Sequence, residues 1–231
     1  LVATVKIGST DVEGKTSCGN GASSPLNNGD QLPDFLYGGP GSDRISGGRG
    51  DDKIYGGNGD DLLLEGRPSP EAGGGSLNGA AGDDVLVGSR KEDDFFPGPG
   101  NDRVIGRSGD GSDVLHFEDS ARGVEVDLRA QTARGQGHDS IKGIEWVEGS
   151  RNDDVIRGSD GVDVIVAGAG HDVVAGRDGA DDLFGDRGAD SVYGGGGADH
   201  VFGSRGFDHL FGGPGFDHCK DGPIFKGCEK R

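Results

Sequence analysis

The chain has 231 residues, a formal charge of −18, 50 glycines and 31% hydrophobic residues. So little apolar material is thin for a globular core of this length, and the acidity excludes nucleic acid and anionic membrane surfaces as partners while favouring bound cations. The apolar runs are only a few residues long, too short for a membrane span, and the lack of any Met, even at position 1, reads as a processed N-terminus.

Residues 1–28 lie outside any repeat and read as an N-terminal cap. The stretch LVATVKI (Leu1–Ile7) alternates loosely, which predicts a strand that covers its own first coil or pairs with a neighbouring molecule. Gly14 to Gly29 is rich in Gly, Ser and Asn and reads as loop. From Gly29 a nine-residue period begins with GDQLPDFLY, GGPGSDRIS, GGRGDDKIY and GGNGDDLLL, placing Asp34, Asp43, Asp52 and Asp61 sixth and Leu36, Ile45, Ile54 and Leu63 eighth. Residues 65–78, EGRPSPEAGGGSLN, interrupt the period and read as a surface loop. The period resumes with Asp84, Asp93 and Asp102, and a looser unit ends at Asp113 and Leu115, so 29–117 forms a first block.

Residues 118–148 read as a spacer of two longer strands that continue the stack, with Val124, Val126 and Leu128 alternating, then Ile144 and Trp146. Trp146 is expected to plug the core. A second block, 149–220, holds eight strict repeats with Asp154, Asp163, Asp172, Asp181, Asp190, Asp199, Asp208 and Asp217 sixth. Two residues later stand Ile156, Ile165, Val174, Leu183, Val192, Val201, Leu210 and Cys219. Residues 221–231 form a C-terminal cap, with Ile224 and Phe225 expected to cover the last coil.

The spacing carries its own chemistry. Gly at places one, two and four lets the chain bend tightly and turns carbonyl oxygens inward. The sixth-place Asp adds carboxylate oxygens toward the roughly six to eight oxygen ligands that calcium prefers. Three residues remain for a short strand, in which only the eighth place points inward. All sixteen Asp-x-apolar units therefore become candidate calcium ligands, and the stacked carboxylates repel one another until a divalent cation lies between them.

These units resemble the GGxGxDxUx nonapeptides of RTX proteins. The resemblance implies an all-β fold, a right-handed parallel β-roll with two nonapeptides per coil and calcium in the turns, held between alternate repeats. The wording GQGHDSIKGIEWVEGS is similar to the family's spacers, with Trp146 where Asn often stands. Cys219 and Cys228 are close enough to close a small loop by a disulfide. Similar Cys-bracketed ends occur in secreted actinobacterial relatives, which implies an oxidising, extracellular or cell-surface location. Cys18 is left as a free thiol or an intermolecular bridge.

No HExxH, GxSxG or Walker motif occurs, and uniform repetition of the Asp turns argues against one catalytic pair, so no enzyme is expected. Tyr37, Tyr55, Tyr193, Phe96, Phe184, Phe202 and Phe211 all fall at place nine. Phe184 should stack near Phe202 and Tyr193 near Phe211, either to stabilise the sheets or as an apolar strip for carbohydrate or protein contact. His200 and His218, with Asp182 in line, are solvated side chains or a surface transition-metal site. The functions implied are a calcium-dependent structural, adhesive or surface-assembly role, with head-to-tail self-association or cell-surface polysaccharide as partner, or else an accessory carbohydrate-binding module of a polysaccharide-modifying enzyme. Ice binding is disfavoured because places seven and nine carry no Thr.

Overall fold

The computed structural model describes strands Lys15–Ser17 and Ser23–Pro25 and residues 33–67, 74–107, 112–222 and 224–228. The expected LVATVKI strand and Cys18 lie outside the described residues. Among those residues every regular element is a strand. The chain divides into two compact units, one of Leu1–Val114 with Gly137–Ile144 and one of Leu115–Gln136 with Glu145–Arg231. Two of the three cuts fall inside the stretch read as a spacer, and the third, after Val114, falls at the end of the first block.

Each unit is a parallel β-solenoid built from the x-U-x triplets. In the first unit the strands Phe35–Pro40, Lys53–Asn58, Ser76–Ala81 and Asp94–Phe96 pair in parallel, stacking Leu36 on Ile54, Leu77 and Phe95. Arg44–Arg49, Leu62–Arg67, Val85–Val87, Arg103–Ile105 and His138–Lys142 form the second sheet, stacking Ile45, Leu63, Leu86, Val104 and Ile141. In the second unit one sheet aligns Val147, Ile165, Leu183, Val201 and Cys219. The other aligns Ala133, Val126, Ile156, Val174, Val192 and Leu210.

Alternate repeats therefore share a sheet, as the two-repeats-per-coil reading requires. The strands are short because a turn follows every three to six residues, and most contribute one buried apolar side chain, about 1.5–3 kcal/mol apiece, whereas Cys219 is only half-buried. Most turns are tight because the chain enters the left-handed region twice, as at Gly39 (φ 108°) and Gly41 (φ 105°). A Cβ on Gly57 would also strike the Gly39 carbonyl of the turn stacked against it.

Four segments depart from the sequence reading. Gly14–Gly29, read as loop, holds the strands Lys15–Ser17 and Ser23–Pro25, which pair in parallel with Phe35–Pro40 and Arg44–Arg49. Residues 74–78, assigned to a surface loop, form a regular rung with Leu77 in the core. The spacer contains an antiparallel pair, Glu125–Asp127 with Thr132–Arg134, turned at Gln131 (φ 60°). Arg177 clamps it, with Nη1 and Nη2 donating to the two Asp127 carboxylate oxygens at 2.9 and 2.7 Å. That fork offsets the strain of Arg177 at φ 83°. Trp146 does not plug the core. Ile144 is buried as expected, but the next inward residue is Val147, three places on, and Trp146 stands half-buried beside Val164.

At the C-terminus, Ile224–Lys226 pairs in parallel with His209–Phe211, taking the next sheet position, and the disulfide Cys219–Cys228 spans a Cα separation of 5.7 Å.

Candidate metal sites along the buried carboxylates

Every sixth-place aspartate expected from the sequence is buried, from Asp34 (8% exposed) to Asp217 (1%). They line the turns in files. In the first unit Asp34 precedes Asp52, and Asp93 precedes Asp113; on the other edge stand Asp43, Asp61, Asp84 and Asp102. In the second unit the files are Asp154, Asp172, Asp190, Asp208 and Asp163, Asp181, Asp199, Asp217. One contact builds them all. The backbone N–H of each Asp donates to Oδ1 of the Asp one rung on, at 2.7–3.1 Å and usually eighteen residues away. The carboxylate is thus held by main chain at a fixed spot, and Gly at place one leaves it room. A Cβ on Gly185, for example, would sit 2.8 Å from Asp190 Oδ2.

The other oxygen tells what is missing. Oδ2 of Asp61, Asp84, Asp102, Asp172, Asp181, Asp190, Asp199, Asp208 and Asp217 is buried without a hydrogen-bond partner. An unsatisfied buried carboxylate oxygen is costly unless a proton or a cation neutralises it. Desolvation, helped by neighbouring carboxylates, pushes Asp84, Asp172 and Asp181 up to about 7, Asp102 to about 8 and Asp190 to about 6. Burial also raises Asp61 and Asp199. Repeated hard oxygen donors of one charge, fixed by backbone and stacked at the turns, match what a hard divalent cation takes.

Three turns are built differently. In three of the four Gly-Ser repeats the Ser N–H donates to Oδ2 of its own Asp: Ser89 to Asp93 (2.5 Å), Ser150 to Asp154 (2.6 Å) and Ser159 to Asp163 (2.6 Å), whereas in the fourth Ser204 is left-handed (φ 69°) and Asp208 Oδ2 has no partner. The hydroxyls of Ser150 and Ser159 donate to Oδ1 at 2.8 and 3.0 Å, and each Ser Oγ accepts the place-four N–H. Neither place two nor place four is left-handed in the turns of Ser89, Ser150 and Ser159. Their carboxylates are satisfied inside the turn.

Two acidic residues outside the expected set enter the files. Asp139 accepts the Asp102 N–H at 3.0 Å, is 4% exposed, leaves Oδ2 unpartnered and is raised by burial to about 6. Its signal was present as Gly135-x-Gly137-x-Asp139-x-Ile141, hidden within the stretch read as spacer. Glu65 accepts the Asp52 N–H at 3.1 Å, and burial lifts its carboxyl to about 9. Nothing in the period marks it, because it stands at place one.

On the outer faces Phe184 stacks on Phe202 (centroids 4.9 Å), Tyr193 on Phe211 (4.8 Å) and Tyr37 on Tyr55 (5.5 Å), as place nine predicts. His200 Nδ1 lies 2.7 Å from Asp182 Oδ1, with His218 edge-on at 6.0 Å, all at the surface. His116, Glu118 and Glu148 form a further group, with His116 Nδ1 3.1 Å from Glu148 Oε2.

The model of the RTX calcium-binding nonapeptide repeat matches the chain in four copies, at residues 28–63, 78–115, 139–174 and 175–210. This chain belongs to the RTX family. The matched copies take in more than half of it, and the third begins at Asp139, the residue that joins the Asp102 file. No curated protein matches the chain. RTX repeats bind calcium at multiple sites, and calcium is accordingly the cation for which these buried oxygens are suited.

Proposed function

We propose that this RTX chain is a secreted, calcium-loaded β-roll without a catalytic centre, that its folding is coupled to calcium binding, and that its role is structural, adhesive or in surface assembly. The observation that carries the reading is the recurrence of a buried, unpartnered carboxylate oxygen rung after rung, from Asp61, Asp84 and Asp102 to Asp172, Asp190 and Asp208. The sixth-place aspartates named above, Asp34 to Asp217, would hold the ions, save Asp93, Asp154 and Asp163, whose oxygens their own serines already engage. Bound calcium supplies the positive charge that lets these carboxylates stay ionised while buried. The chain's own contribution is placement: backbone N–H groups fix one oxygen of each carboxylate and direct the other into the turn. Because the unfolded chain holds no such array, binding free energy becomes folding free energy. The disulfide Cys219–Cys228 supports an extracellular or cell-surface location.

Circular dichroism and light scattering in chelator and in millimolar calcium test this. The expected result is a largely disordered chain that gains β structure and compacts on adding calcium. An intact β spectrum in excess chelator at pH 8 would overturn it. Deleting residues 1–12 separates a self-capped monomer, which should begin to aggregate, from a head-to-tail assembly, which should dissociate into soluble molecules.

A second reading, an accessory module for polysaccharide, is favoured by one observation: the outward aromatic pairs Tyr37–Tyr55 and Tyr193–Phe211 present exposed rings, with Tyr37 51% and Tyr193 41% accessible. Retardation of the calcium-loaded chain in a polysaccharide-containing gel, lost on Tyr193→Ala, would favour it.

A further inference from the structure

The rung at residues 74–79 has no sixth-place aspartate. Its register is set by Leu77, which stacks between Ile54 and Phe95, and the residue two places before it is Gly75. The rungs before and after carry Asp52 and Asp93. The file should therefore be broken at Gly75, yet it contains a carboxylate there. Glu65, at place one of the same repeat, reaches across the turn and fills the space that a Gly75 side chain would need: a Cβ on Gly75 would collide with all three atoms of the Glu65 carboxylate group. In most other repeats a place-one glycine makes room for a place-six aspartate, as Gly38 does for Asp43. Here the two positions have exchanged roles.

The exchanged carboxylate reproduces both functions of the residue it replaces. Glu65 Oε1 accepts the Asp52 N–H at 3.1 Å, the same bond that Asp61 Oδ1 makes with the Asp43 N–H at 2.7 Å. Glu65 is 1% exposed, and its Oε2 is buried with no hydrogen-bond partner, as Oδ2 of Asp61 and Asp84 are. Beyond it the file continues, since the Gly75 N–H donates to Asp93 Oδ1 at 2.8 Å. A glutamate at place one has the longer arm needed to reach this point from the opposite side of the turn. Neither Glu65 nor Gly75 has a positive φ, so the exchange needs no unusual backbone.

We propose that Glu65 is a calcium ligand standing in for the missing sixth-place aspartate, so that the interrupted repeat at 65–78 keeps a cation site. This rests on the reading that the sixth-place carboxylates hold calcium.

The test is the number of calcium ions bound per full-length chain, measured by equilibrium dialysis and by isothermal titration with calcium chloride, for wild type, Glu65→Gln, Asp190→Asn and the double variant Glu65→Gly with Gly75→Asp. The proposal expects Glu65→Gln to bind at least one ion fewer than wild type, and the double variant, which restores the ordinary arrangement, to bind the wild-type number. A Glu65→Gln chain with the full count would overturn the role of Glu65 if Asp190→Asn binds fewer ions. If neither single variant loses an ion, the sixth-place reading itself falls, and Glu65 with it. Should Glu65→Gln fail to fold, the double variant decides: a wild-type count supports the exchange, and a count lower by one overturns it.

Discussion

Removing calcium at different pH values should expose the cost that the ions offset. Asp172 and Asp181 stand at about 7 and Asp190 at about 6 in the folded chain, against 3.8 for an ordinary aspartate. One pKa unit is about 1.4 kcal/mol. With all three ionised at pH 8 and no cation present, they oppose folding by on the order of 10 kcal/mol, comparable to the whole net stability of a typical domain. Asp84 and Asp102 add to this in the first unit. The sign follows from proton counting: these folded-state values lie above the unfolded ones, so between the two the folded chain holds more protons. Stability is then greatest below about pH 4, falls progressively as pH rises from 4 to 7, and has lost this contribution by about pH 8. Protons should therefore stand in for calcium. In chelator, lowering the pH from 8 to 5 should recover more than half of the penalty and restore β structure by circular dichroism. Light scattering must be followed in parallel, because the isoelectric point is near 4.5. The affinity of the folded chain for calcium should fall as the pH falls, because protons compete for the same oxygens. A chelated chain that is structured at pH 8 and loses structure toward pH 5 would refute the reasoning.

Two substitutions extend the argument. Asp190→Asn keeps an acceptor for the Asp172 N–H but removes a charge, so it should raise the calcium midpoint for folding while leaving the chelated chain at pH 8 no less structured than wild type; His200→Ala, at the surface beside Asp182, should leave the calcium titration unchanged. Ser159→Ala removes the hydroxyl bonds to Asp163 and should cost about 1–2 kcal/mol in denaturant unfolding whatever the calcium concentration, because that turn is closed by hydrogen bonds; a calcium-dependent cost would contradict it.

Much of this was legible because the period fixes the register. Asp at six and an apolar residue at eight place one carboxylate in the turn and one side chain in the core, and Ile165 over Leu183 or Phe184 beside Phe202 follow by counting eighteen. What the period missed, it missed for physical reasons. Glu65 enters its file from place one by reach, and five extra residues separate it from the glycine whose place it fills. Asp139 obeys the motif but sits between longer strand-like stretches that drew attention to alternation instead. Trp146 lies outside the core because the inward positions step from Ile144 to Val147, three residues on, where strict alternation expects two. The closed turns at Ser89, Ser150 and Ser159 share their Gly-Ser start with the open turn at Ser204, so the repeat pattern does not tell them apart.

The most direct measurement is the location of calcium by anomalous scattering in crystals grown from millimolar calcium chloride. The account predicts ions in the turns, about 2.3–2.6 Å from the second oxygens of Asp61, Asp84, Asp172, Asp181, Asp190 and Asp199. Finding those oxygens without an ion, with calcium only on exposed acidic side chains, would contradict it.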